Sequence, residues 1–170
     1  MTVRSETFRR LAYTLVIVAC GNAPINSAAL QLPVVEMARV TVPAAITFRV
    51  NDIGASSDAV TGTTIVTFDQ ADLAPGRALR ISVKAEGELT RSDGSYLTVT
   101  AVTWRASGVV HGVGVNGTLS KTIFAPVFQS DSASTSGSVT LTWSVALSDA
   151  SVRAGTYQAP LRWKIESIVP

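Results

Sequence analysis

Ser138-Val-Thr-Leu-Thr-Trp-Ser-Val-Ala-Leu147, followed after a short polar link by Thr156-Tyr-Gln-Ala-Pro-Leu-Arg-Trp-Lys-Ile-Glu-Ser-Ile168, decides the fold class of this chain. In the first run Val139, Leu141, Trp143, Val145 and Leu147 share one parity, with mostly Thr and Ser between them. In the second, Tyr157, Ala159, Leu161, Trp163 and Ile165 alternate with Gln158, Arg162, Lys164 and Glu166. A strand turns successive side chains to opposite faces, so this period of two describes two half-buried strands. The same parity assigns Trp143 and Trp163 to the core.

Upstream, the pattern repeats in shorter pieces. Val34 to Val42 is apolar and bounded by Pro33 and Pro43, which suits a sheet edge. Ile46 to Val50 and Thr63 to Phe68 read as strands, separated by a polar turn region from Asn51 to Asp58. Asp69–Leu73 could form a single helical turn before the Pro75-Gly76 turn. Leu79, Ile81, Val83 and Ala85 then alternate with Arg80, Ser82, Lys84 and Glu86 as a central strand, which Gly87 to Arg91 extends past a bulge. Asp93-Gly94 is a hairpin turn, since such turns require positive φ. Tyr96 to Trp104 is apolar on both parities and either is buried on both faces or switches face. Residues 107–117 hold four glycines and read as a flexible loop, and Leu119 to Phe128 as a strand broken by Pro126. Strands at regular spacing without a helical period indicate an antiparallel β-sandwich of about seven to nine strands, with a closed barrel as the alternative.

The N-terminus has the form of a secretory signal. Arg4, Arg9 and Arg10 precede the short apolar run from Leu11 to Ala19. Cleavage after Ser27-Ala28-Ala29 gives a signal peptide of residues 1–29 and a β-sandwich domain of residues 30–170. The alternative is a lipobox, Ile17-Val18-Ala19-Cys20, with Cys20 lipidated as the first mature residue. The leader holds three of the 14 Lys and Arg and one of the 12 Asp and Glu, which leaves 11 of each. The remaining domain is near neutral and carries no basic footprint for nucleic acid. No segment after the leader is long and apolar enough to span a membrane. Cys20 is the only cysteine, so the mature domain has no disulfide.

Candidate chemistry is sparse. The single histidine, His111, lies in the glycine-rich stretch without a local nucleophile or orienting acid. Gly112-Val-Gly114 lacks the rest of a dinucleotide fingerprint, and no cofactor is expected. Asn51, Asp52, Asp58, Asp69 and Asp72 supply oxygens, yet the repeating pattern of an EF-hand loop is absent and turn and capping roles explain them. Asn116-Gly-Thr118 matches a glycosylation sequon and equally a tight turn, and the turn is preferred. Glu86 and Glu88 share a solvent-facing parity. Trp104 closes a strand beside the glycines, so Trp104 and His111 form a candidate ligand rim, with carbohydrate as its ligand class.

Val152-Arg-Ala-Gly-Thr-Tyr157, feeding an alternating final strand, resembles the closing motif of secreted bacterial pilin-like and spore-coat-U-like β-sandwich proteins. The chain departs from that pattern by lacking its cysteine pair. The resemblance implies an immunoglobulin-like sandwich, a secreted or cell-surface location, and a structural or adhesive role rather than catalysis. Its partners would be further copies or other surface subunits. In such families an N-terminal extension can complete a neighbour's sheet, and here the candidate donor strand carries Val34, Ala38, Val40 and Val42 on one parity. The competing reading makes that segment the first strand of its own domain. The alternative function is a monomeric secreted binding module using the loops around Trp104.

Overall fold

A computed structural model describes residues 36–51, 60–147 and 152–170, and everything structural below concerns those residues. The signal-peptide and lipidation expectations (residues 1–29, Cys20), Val34, Asp52 and Asp58 lie outside them. The elements in chain order are β1 (Met37–Thr41), β2 (Ala45–Val50), β3 (Val60–Asp72), β4 (Ala78–Ala85), β5 (Leu89–Thr90), β6 (Tyr96–Leu97), a single 3-10 turn (Val99–Ala101), β7 (Val102–Val110), β8 (Gly112–Gly114), β9 (Gly117–Thr118), β10 (Ala125–Ser130), β11 (Gly137–Val145) and β12 (Gly155–Ile168). The fold is all-β. Twelve strands exceed the expected number because β5, β6, β8 and β9 are fragments of two or three residues; eight strands have five residues or more.

The strands form two antiparallel, curled sheets. One has the order β1-β3-β11-β7-β9, and the other β6-β5-β12-β4-β10-β8 with β2 paired to β12. From β6 onward every connection crosses between the sheets, so the pairings that hold the molecule join strands distant in sequence. β11 is the spine of the first sheet, in register with β3 from Gly137↔Phe68 to Val145↔Val60 and with β7 on its other side. β12 is the spine of the second. Its first half, Gly155 to Pro160, pairs with β2, and its second half, Leu161 to Ile168, pairs with β4.

The core between the sheets follows the alternating parity. Phe48, Val66, Phe68, Ile81, Val83, Leu141, Trp143 and Tyr157 are each at most 2% exposed. Trp104 and Trp143 are cross-strand partners with ring centroids 5.4 Å apart, and Phe68 and Phe128 lie at 5.7 Å. Truncating a ring of this size to Ala costs about 3–5 kcal/mol. The indole N–H groups are all satisfied: Trp104 Nε1 donates to Val115 O, Trp143 Nε1 to Thr64 Oγ1 and Trp163 Nε1 to Pro43 O, each at 2.7 Å.

Four local readings are corrected. Asp69–Leu73 is not a helical turn: β3 continues to Asp72 through a bulge at Gln70 (φ 52°), and Ala71 N donates to Thr135 O. The stretch from Tyr96 to Trp104 is not one strand; it changes sheets through the 3-10 turn, which lets Val99 and Val102 both be buried. Residues 107–117 are not a flexible loop, since β7 runs to Val110 and β8 and β9 follow. Trp163 is only half-buried and Ile165 is 43% exposed, because no strand covers this edge of β12 beyond the end of β2.

Candidate functional site

Trp104 does not stand at a rim. It is 1% exposed, stacked obliquely on Trp143, and Gly117 of β9 packs against its ring. A Cβ at Gly117 would lie 2.5 Å from Trp104 Cζ2, so a side chain there is excluded by contact. The parity of β7, which buries Val102 with Trp104, was the available signal. The candidate carbohydrate platform is therefore part of the core.

His111 is exposed and sits where the chain passes from β7 to β8, with φ 54°. Its Nδ1–H donates to Ser136 O at 3.0 Å, and its carbonyl accepts from Asp131 N at 3.0 Å. The imidazole thus ties the corner to the start of β11. Val109, Val110 and Val113 beside it are 37%, 47% and 63% exposed. Trp104 and His111 are not brought together as one surface.

β1 pairs with β3 of its own chain, from Thr41↔Thr67 to Met37↔Asp72. Ala38 is exposed, while Val40 and Val42 are half-buried against the core. The segment proposed as a donor thus pairs within its own sheet, as an edge strand whose outer side is unpaired among the described residues.

Several acidic residues have partners within the fold. Glu88 is not on a solvent face: it is partly buried, paired with Lys121, and accepts Val99 N at 2.7 Å. The Lys121 ammonium, then the Val99 N–H, hold its carboxyl below the usual carboxylate range. It fastens the 3-10 turn to the segment before β10. Glu86 lies 3.9 Å from Arg162 on the surface, and Asp69 lies 3.7 Å from Arg39. Asn116 Oδ1 accepts Ala106 N at 2.8 Å, so this side chain bonds the edge of β7 in mid-strand, just past the two residues that pair with β9. Among the described residues no group of three or more His, Cys, Asp or Glu is placed to hold a metal ion.

One feature was not singled out from the sequence. An open depression of ≈ 760 Å³ lies between the base of the β5–β6 hairpin and the start of β12, lined by Arg91, Ser92, Gln158 and Pro160 among others. Gly155, at φ 151°, forms part of one wall, where a Cβ would meet Arg91 Cδ at 2.7 Å. Arg91 is already engaged: Nη1 donates to Ala154 O at 2.6 Å and Nη2 lies 3.0 Å from Asp93. The Ser95 hydroxyl and N–H, then Arg91, hold the Asp93 carboxyl below its usual range. What remains are neutral hydrogen-bonding groups of Thr90, Ser92, Thr156 and Gln158, a lining without a paired acid and base.

At the end of this wall Tyr157 OH donates to Arg153 O at 2.9 Å. The Ala154-Gly155-Thr156-Tyr157 motif is therefore a tyrosine corner, which locks the chain as it enters β12. Among the described residues no helix is long and apolar enough to cross a membrane. Comparison of the chain with protein-family models, with curated proteins and with solved structures finds no match in any of the three.

Proposed function

We propose that this chain is an exported, non-enzymatic surface protein, an immunoglobulin-like sandwich serving as a pilin-like, coat or matrix subunit. The observation that carries this reading is β1. Four of its five residues are exposed, and among the described residues it is held on one side only, with its outer edge unpaired. An unpaired edge offers a row of main-chain donors and acceptors to another chain, and soluble monomers ordinarily blunt such edges. Arg39 is the one charge on the strand, and it leans 3.7 Å from Asp69 within its own sheet. The tyrosine corner before the last strand supports the immunoglobulin-like assignment, and the Arg-flanked apolar leader supports export.

The carbohydrate-binding alternative loses its platform with the burial of Trp104. The subunit reading is tested by negative-stain microscopy and sedimentation of the purified chain, with mass spectrometry of its N-terminus to place cleavage at Ala29 or Cys20. Oligomers or fibres are expected, and Ala38→Lys, which charges the exposed edge without touching the core, should dissolve them. A chain that stays monomeric at high concentration, or one retained in the cytoplasm, would defeat the proposal.

A further inference from the structure

The outer face of the seven-stranded sheet changes character along its length. Toward the end of β12 it is charged, with Arg80, Lys84, Arg162, Lys164 and Glu166 turned outward. Around the start of β12 it is neutral. Tyr96 of β6 stands opposite Thr90 of β5, Thr90 opposite Gln158 of β12, and Gln158 opposite Thr47 of β2. Directly paired residues turn their side chains to the same face, so these four form one row across four strands. All four are exposed, Tyr96 to 67%. The neighbouring pair, Leu89 and Leu97, packs toward the core, which fixes the outward direction of the row.

With strands about 4.8 Å apart, the row spans roughly 14 Å. The open depression of ≈ 760 Å³ lies against its middle, where Thr90 and Gln158 line it together with Ser92 and Thr156.

We propose that this row and the depression beside it bind a neutral saccharide chain. The site is separate from Trp104, which is in the core, and from the β1 edge. It goes beyond the subunit reading and does not rest on it.

Three observations carry it. The first is the kind of group presented. The hydroxyls of Thr47, Thr90, Ser92 and Thr156 and the amide of Gln158 each donate and accept, as the adjoining hydroxyls of a sugar ring do. A sugar ring also has a flat C–H face, and the exposed Tyr96 offers an apolar ring with a polar tip at the end of the row.

The second is charge. Arg91 is engaged by Ala154 O and Asp93, so it is balanced within the fold. Arg49, opposite Thr156, is an exposed cation that flanks the row. A single exposed charge is screened by salt and does not by itself select an anionic ligand.

The third is preorganisation. Arg91 Nη1 on Ala154 O ties the hairpin to the entry of β12. Within the hairpin Arg91 N donates to Ser95 O and Gly94 N to Arg91 O, and Tyr157 OH holds Arg153 O at the entry. Both sides of the depression are therefore set before a ligand arrives, which lowers the ordering cost of binding. Its volume falls within the range of about 300–1,000 Å³ common to small-molecule sites. Its open shape admits the middle of a chain as well as an end.

Isothermal titration calorimetry of the purified chain against cellohexaose, chitohexaose, maltohexaose, xylohexaose and mannohexaose tests the proposal. At least one should bind with Kd on the order of 1 mM, as suits a shallow site with one aromatic contact. Tyr96→Ala should raise that Kd about tenfold, and Tyr96→Phe should keep it within about twofold, since the ring makes the contact. Gln158→Ala should raise it about fivefold through lost hydrogen bonds. Thr140→Ala, on the outer face of the other sheet, should leave it unchanged, as should Ala38→Lys on β1. Urea midpoints of each variant check that folding is intact. No binding to any of these oligosaccharides at about 10 mM would overturn the proposal, as would binding that survives both Tyr96→Ala and Gln158→Ala. Affinity that collapses between about 50 and about 500 mM NaCl would overturn the neutral class and assign binding to the Arg49 charge. The subunit reading is decided separately, by the effect of Ala38→Lys on sedimentation.

Discussion

The two long sides of the domain, where the edges of its two curled sheets approach each other, are closed by opposite means. On one side β8 ends the seven-stranded sheet and β9 ends the five-stranded sheet, and the chain between Val110 and Thr118 crosses between them. This side is closed by contact. A Cβ at Gly112 would run into Gln129 O and come within 2.6 Å of Phe128 Cζ; one at Gly114 would lie 2.7 Å from Ala106 Cβ. On the other side the residues that flank β1 meet the second half of β12 through polar contacts, while the edge of β1 itself is unpaired among the described residues. Arg77 donates through Nε to Ser167 Oγ at 2.7 Å and through Nη2 to Ser167 O at 2.6 Å, and lies 3.1 Å from Glu36. Glu36 Oε1 also accepts Ala74 N at 3.0 Å, and Trp163 Nε1 reaches Pro43 O. A side sealed by steric fit tolerates no added atoms. A side sealed by hydrogen bonds tolerates change but responds to pH.

The sharpest way to break this contrast is to add a methyl group to each kind of glycine. Gly112→Ala forces a Cβ against a backbone carbonyl and a buried ring, and overpacking of this kind costs about 1–3 kcal/mol. Gly117→Ala, against the Trp104 ring, should cost a similar amount. Gly87→Ala is the control: nothing lies within 4 Å of its Cβ, and the change should be neutral within about 0.5 kcal/mol. Urea denaturation of the three variants measures this. Equal stability of Gly112→Ala and wild type would refute closure by contact.

On the polar side the expected losses are smaller. Arg77→Ala removes two hydrogen bonds and an ion pair from a partly exposed site and should cost about 1–2 kcal/mol. Arg77→Lys should recover little of it, because an ammonium cannot present the guanidinium fork to Ser167. Trp163→Phe leaves Pro43 O without its donor and should cost about 1 kcal/mol. Thermal or urea midpoints rank these against the glycine variants, and a larger effect at Arg77 than at Gly112 would reverse the comparison.

What could be read from the chain beforehand follows the same division. β11 alternates along its whole length because it has neighbours on both edges and a sheet beneath it. β12 obeys the alternation only to Leu161; Trp163 and Ile165 keep the apolar parity but lose their cover where β2 ends, and periodicity carries no information about where a partner stops. Residues 107–117 read as a loop in the sequence because glycine has two uses, positive φ and the absence of a Cβ. Of its four glycines only Gly108 has positive φ, while Gly112, Gly114 and Gly117 are held by contact. The glycines also masked the parity that buries Trp104 with Val102. Glu88 follows the solvent parity of its strand, yet Lys121 and the Val99 N–H reach it from elements far along the chain. Nothing local encodes such meetings when nearly every connection crosses between sheets.

The finest discrimination between the two sides is acid sensitivity. The Ala74 N–H, then the Ser167 hydroxyl, then Arg77, hold the Glu36 carboxyl below its ordinary value of 4.5. The unfolded chain therefore binds this proton more readily than the folded one as pH falls through the ordinary carboxylate range. The stabilisation from Glu36 is complete above that range and is lost as pH drops through the depressed folded value. Glu36→Gln keeps an acceptor for Ala74 N but removes the charge. The variant should be slightly less stable than wild type near about pH 7, and the gap should close toward about pH 3. Gly112→Ala involves no titrating group, so its deficit should persist unchanged across the same interval. Paired urea midpoints at the two pH values measure both. A Glu36→Gln deficit that failed to shrink in acid would mean that the polar side is held by shape after all.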